Sequence, residues 1–127
     1  MQIRQASTDD DFRIVRCLFQ EYAAQLRIDL CFQWFAEELA GLPGQYAPPK
    51  GQLLIAGPNS GPAGCVALRP REGRICEMKR LFVKPVFQGQ GVGRRLAERV
   101  IAEARTIGYS KMVLDTLPPM LAAIRLL

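Results

Sequence analysis

Six consecutive residues, Gln88, Gly89, Gln90, Gly91, Val92 and Gly93, have the types and spacing best suited to chemistry in this sequence. They lie between an apolar, strand-like run and a long amphipathic segment, and glycine at every second position takes Cβ atoms out of a tight turn. Consecutive N–H groups can then converge on an anion at the positive end of the following helix, which is how a main chain cradles phosphate. Arg94 and Arg95 come next and add mobile positive charge. A flexible strand-to-helix connection would also use glycine, but the context favours the phosphate reading.

The absence of histidine narrows the remaining chemistry. It removes the usual zinc sites, triads that need imidazole, and histidine acid–base mechanisms. Carboxylates, hydroxyls, main-chain amides or a bound cofactor must carry any reaction, and no metal is expected. A net charge of +5 and a pI near 9.3 favour an anionic partner. The basic residues are scattered, with no run interleaved with aromatics, so no nucleic acid is expected. Cys17, Cys31, Cys65 and Cys76 lack a C-x-x-C pair and sit in apolar patterns, as small buried side chains do in a reducing compartment. No run reaches the roughly 20 apolar residues of a membrane span, and no charged-then-apolar leader precedes the first alternating segment. We therefore expect a cytoplasmic single domain over residues 1–127 with no membrane partner.

The elements that position the glycine loop follow from periodicity. Residues 1–6 alternate as a short first strand. Thr8 to Asp11 supply cap oxygens and negative charge for a helix whose apolar stripe runs through Val15, Cys17, Leu18, Phe19, Tyr22, Ala23 and Leu26. Phe32 to Leu42 reads as a second helix, Gln45 to Gly51 as an extended loop, and 53–56 with 63–68 as an antiparallel hairpin around the Gly57 to Gly61 turn. Arg74 to Val83 is a longer strand. The helix after the glycine loop buries Val92, Leu96, Val100, Ile101 and Ala104 and stops at Gly108. Lys111 to Asp115 is a strand parallel to its predecessor because a helix crosses between them. Pro118 and Pro119 open a last helix, Met120 to Leu127.

With this order the chain resembles the GNAT superfamily of N-acetyltransferases, which bind acetyl-CoA. Gln88, Gly91 and Gly93 match that family's Arg/Gln-x-x-Gly-x-Gly/Ala signature, and Cys76 to Pro85 looks like its fourth strand. The resemblance implies an α+β, three-layer fold: a mixed, mostly antiparallel sheet with flanking helices, and a cofactor cleft between parallel fourth and fifth strands. It places the pyrophosphate of CoA on Gln88, Gly89, Gln90, Gly91, Val92 and Gly93. The pantetheine arm would lie along Leu81, Phe82 and Val83, where a main-chain N–H near Phe82 would polarise the thioester carbonyl. Arg94 approaches a phosphate or is a plain solvated charge.

The implied reaction is direct attack of a neutral primary amine, on a small molecule or a peptide, upon acetyl-CoA. Glu77 stands where some family members carry a general base; the alternative is an exposed strand carboxylate paired with Lys79 or Arg80. The amine would enter between the first two helices and the 45–51 loop, where Cys31 and Phe32 line a pocket or belong to the core. Family members usually continue into a helix, a tyrosine that protonates the thiolate, and two further strands. This sequence stops near the place of that tyrosine, so the domain reads as C-terminally truncated relative to the family and its fifth strand as an exposed edge, which implies either pairing edge to edge in a homodimer or a shortened form of a longer gene product. Two other readings compete. A dinucleotide-binding oxidoreductase fits poorly, because the third glycine is one position early for G-x-G-x-x-G. A non-catalytic CoA-binding or interaction module shares the same loop and fold.

Overall fold

Two neighbouring strands that are apolar on both faces require a cover on each side. In β2 (Gln52–Ala56) and β3 (Gly64–Pro70), Leu53, Ile55, Cys65 and Ala67 face one way, and Leu54, Ala56, Val66 and Leu68 the other. Helix α1 (Asp9–Leu26) covers the first face with Ile14, Val15, Leu18 and Phe19, and α2 (Phe32–Ala40) adds Phe35 and Leu39 beside it. Helix α3 (Val92–Ile107) covers the second face with Val92, Leu96, Val100 and Ala104. The computed structural model describes the main chain of residues 1–26, 32–114 and 122–126, and their side chains apart from 26, 32–34 and 122–124.

With β1 (Ile3–Gln5), β4 (Ile75–Val83), β5 (Lys111–Leu114) and β6 (Ala122–Arg125), the sheet has six strands in the order β1-β2-β3-β4-β5-β6. Every neighbouring pair is antiparallel except β4 and β5. The expected three-layer α+β fold is therefore what forms. The terminal signals of the helices also act as read. Thr8 Oγ1 accepts from the Asp11 N–H at 3.1 Å, while Asp11 Oδ2 accepts from the N–H of Ser7 and Thr8, the reciprocal pattern of a capping box. Gly108, at φ 111°, closes α3 with its N–H on the carbonyls of Ala104 and Arg105. Among the described residues no helix is long and apolar enough to cross a membrane.

Four expectations need correction. Residues 122–125 form a strand instead of part of a final helix, pairing Met112 with Ile124 and Val113 with Ala123. Alanine and leucine favour helix locally, but the open row of β5 main-chain groups outweighs that preference. The β5 edge is thus covered by the chain itself, which removes the ground for a homodimer built on it. The 45–51 segment is not extended: residues 44–46 make a 3₁₀ turn that buries Tyr46 edge-on to Phe19, ring centroids 6.2 Å apart. Cys17 is exposed, because Ile14 and Leu18 hold the inner face of α1, whereas Cys65 and Cys76 are buried as read.

Asp11 also joins α1 to β1 through Arg4 Nη1, 2.7 Å from its Oδ1. Burial pushes its carboxyl up, but the N–H groups of Ser7 and Thr8 together with Arg4 outweigh that, and its pKa lies below the ordinary value. A lowered carboxylate contributes stability above the unfolded-state pKa and loses it as pH falls through the folded one. Asp11→Asn is therefore expected to destabilise the protein near pH 7, with the gap from wild type closing below about pH 4. Urea unfolding at a series of pH values measures this, and a gap that does not change with pH would contradict it.

Candidate active site

The cleft originates in β4. Its first residues pair with β5, Ile75 with Lys111 through Met78 with Leu114, and no β5 residue faces it from Lys79 to Val83 among the described residues. At the same point the pairing with β3 slips: Cys65 faces Phe82 and Ala67 faces Lys79, leaving Val66 opposite both Arg80 and Leu81. One extra residue on one strand is a β-bulge, which bends and twists that strand. It also reverses the facing. Cys76 and Met78 pack on the α3 side, but beyond the bulge Leu81 and Val83 take that side and Phe82 turns to α1.

Arg80 forms the bulge with φ 59°, the sole non-glycine residue with positive φ among the described residues. That conformation costs about 1–2 kcal/mol in an L-residue. Its side chain is 7% exposed, and its guanidinium forks onto Glu38 of α2, Nε to Oε2 at 3.0 Å and Nη2 to Oε1 at 2.8 Å. Hydrogen bonds to charged groups contribute about 1.5–3 kcal/mol each, and desolvation of the two ions takes part of that back. The rings of Tyr22 and Phe35 flank the cation at 5.9 and 5.6 Å. Burial alone would raise the Glu38 carboxyl, yet the bonds and charge of Arg80 and the Tyr46 hydroxyl, 3.0 Å away, hold it below its ordinary pKa. Burial and the Glu38 carboxylate push that hydroxyl upward, so it remains a donor.

Beyond Val83 the chain turns through residues 85–87 into the glycine loop. Gln88 Nε2 donates to the Val83 carbonyl at 3.1 Å and so ties the loop to the open end of β4. Gly89 and Gly91 have φ of 83° and 80°. A Cβ at either would meet nothing within 4 Å, so left-handed conformation, not crowding, asks for glycine there. Gly91 caps α3 without a side-chain partner, and the first helical bond runs from the Arg95 N–H to the Gly91 carbonyl. Among the described residues the N–H groups of Val92, Gly93 and Arg94 have no main-chain acceptor, which leaves them to an outside one at the positive pole of the helix.

The sequence-predicted residues divide accordingly. Leu81, Phe82 and Val83 form the open edge of β4, and Gln88 to Gly93 adjoin its end, where a Cβ on Gly93 would touch Val83 Cγ2 at 3.4 Å. Arg94 is exposed and pairs along the helix with Glu98 at 3.0 Å. Lys84 Nζ sits 3.6 Å from Glu21 of α1. Glu77 is buried, not exposed, and its partner is Arg69, directly opposite on β3, with Nε and Nη2 at 2.8 and 2.7 Å from Oε1. Lys79 and Arg80 were the neighbours expected from sequence; cross-strand register puts Arg69 closer, and Arg80 is committed to α2. Among the described residues Glu77 Oε2 takes no hydrogen bond, and the side chain is 10% exposed. Cys31 lies outside the described residues, and Phe32 opens α2 with its side chain outside the description. Helical spacing puts Glu38 on the outer face of α2, whereas the structure turns it onto Arg80 and Tyr46; for Gly64 the glycine opening β3 is the sequence signal.

Comparison with known proteins places this arrangement. The family model described as the acetyltransferase (GNAT) family matches residues 13–127. An uncharacterized N-acetyltransferase of Schizosaccharomyces pombe is 44% identical over 119 residues, 92% of this chain and 71% of the relative. One from Dictyostelium discoideum is 32% identical over 171 residues, 87% of this chain and 79% of the relative. Among solved structures, a GNAT acetyltransferase of Staphylococcus aureus has a TM-score of 0.75 at 18% identity, covering 91% of this chain and 73% of that one. A GNAT acetyltransferase of Brucella melitensis solved in complex with acetyl-CoA has a TM-score of 0.72 at 21% identity, covering 98% and 86%.

Gly64 faces the bulged end of β4, and a Cβ there would sit 2.3 Å from the Phe82 carbonyl oxygen. Two main chains meet at that point, so neither yields cheaply. Gly64→Ala is expected to cost upwards of about 2 kcal/mol, and Gly61→Ala, with nothing within 4 Å, less than about 0.5 kcal/mol. Urea unfolding of both variants checks the difference.

Proposed function

Since the chain belongs to the GNAT acetyltransferase family, we propose that it transfers the acetyl group of acetyl-CoA to a primary amine by direct attack. The observation that carries this reading is the juxtaposition, among the described residues, of α3 N–H groups without a main-chain acceptor and an edge of β4 without a β5 partner. The N–H groups of Gly89 to Gly93 hold the diphosphate of CoA, the Gln88 N–H being taken by the Pro85 carbonyl, with Arg94 free to leave its exposed pair with Glu98. The main chain of Leu81, Phe82 and Val83 continues the sheet onto the pantetheine arm. An N–H next to the bulge accepts charge as the thioester carbonyl becomes an oxyanion.

The amine must shed a proton before or during attack. Glu77, whose Oε1 is fixed by Arg69, takes that proton on Oε2 through water. The carbon–sulfur bond then breaks, the acetyl group stays on nitrogen, and coenzyme A leaves as its thiolate to be protonated from solvent. The acceptor, on a small molecule or a peptide, approaches from the α1 and α2 side. One observation favours a rival, a CoA-binding module without turnover: Glu77 is already paired with Arg69, as a purely structural carboxylate would be.

Calorimetry with coenzyme A tests the binding half. Wild type is expected to bind, and Gly91→Val, which forces a β-branched residue to positive φ, to weaken binding at least about tenfold, or 1.4 kcal/mol. Failure of wild type to bind would overturn the assignment. A panel of amines tests the chemical half: Glu77→Gln is expected to lower kcat by about 100-fold with coenzyme A affinity retained. An unchanged kcat would remove Glu77 from the reaction, and binding with no acetylation of any amine would favour the rival.

A further inference from the structure

We propose that Arg80 is a positioning residue which fixes, from the α2 side, the main chain of β4 that meets the acyl group. This rests on the acetyl-transfer reading above. The bulge itself demands only positive φ, which glycine adopts without strain. An arginine there bears that strain, so what the site gains must come from its side chain. That side chain spans the layer between sheet and helix. It is forked onto both oxygens of Glu38 and flanked by Tyr22 and Phe35. The main chain is held as well, since the Cys65 thiol donates to the Arg80 carbonyl at 3.5 Å. Glu38 in turn cannot swing freely, because the Tyr46 hydroxyl donates to its Oε2.

The glycine loop does not depend on this clamp. Gln88 anchors it separately to the Val83 carbonyl. Gly91 caps α3, which packs on the face of the sheet opposite α1 and α2. Loosening Arg80 should therefore disturb the N–H groups beside the bulge far more than the diphosphate site. Coenzyme A affinity and polarisation of the acyl carbonyl become separable, which a merely stabilising ion pair would not achieve.

Infrared difference spectra of acetyl-CoA labelled with ¹³C at the carbonyl read that polarisation without any acceptor amine. In the wild-type chain the bound thioester band is expected to shift to lower wavenumber. In Arg80→Lys, which keeps charge but loses the fork, and in Glu38→Gln, which keeps shape but loses charge, the shift should fall by at least half. Coenzyme A affinity by calorimetry should stay within about threefold. Tyr46→Phe removes a single hydroxyl and supplies a milder variant should either of the others fail to fold by circular dichroism; a smaller loss in the same direction is expected. Variants that bind coenzyme A and keep the full wild-type shift overturn the proposal while leaving acetyl transfer in place. A wild-type chain that binds no coenzyme A overturns both.

Discussion

A strand that is hydrogen-bonded to a neighbour along both edges has no main chain to offer a ligand, and one with no neighbour is not held in place. β4 meets both demands by changing partners partway. Its first four residues pair with β5, its length from Cys76 to Val83 pairs with β3, and the extra residue at Arg80 re-aims the side chains beyond it. Much else in the molecule depends on that slip. Gly64 must be glycine because the bulged strand brings the Phe82 carbonyl against it. Phe82 turns into the α1 cluster while Leu81 and Val83 turn to α3. Gln88 then finds the Val83 carbonyl within reach.

The layers were legible from sequence because both sides of the sheet rest on strong periodic signals. The 3.6-residue stripe of α3 marks one buried face, and the two apolar runs of β2 and β3, joined by the Gly57 to Gly61 turn, read as a hairpin covered on both sides. The glycine loop was legible for a related reason: positive φ at Gly89 and Gly91 is a local property, encoded by the residues that carry it. What escaped was non-local. Arg69 opposes Glu77 only once the β3–β4 register is known, and the bulge alters that register without any glycine or proline to announce it. Residues 122–125 illustrate the converse failure. Their composition suits a helix, and pairing with β5, supplied from elsewhere in the chain, decides for a strand.

Two arginine–carboxylate pairs occupy the α1 and α2 side of β4, and the turn at residues 44–46 touches both. Gln45 Oε1 accepts from Arg69 at 2.9 Å, and the Tyr46 hydroxyl donates to Glu38. The pairs differ in what they leave over. Both Glu38 oxygens are taken, by three donors, so its negative charge is neutralised in place and its lowered pKa keeps the arrangement ionised at neutral pH. Glu77 gives only Oε1 to Arg69, and its Oε2 takes no hydrogen bond among the described residues. A carboxylate held by one oxygen and unbonded at the other has a fixed orientation and a vacant lone pair, the combination a proton acceptor needs. In the proposed reaction the same type of ion pair therefore serves two ends. At Arg80 it shapes the strand, and at Arg69 it aims a base.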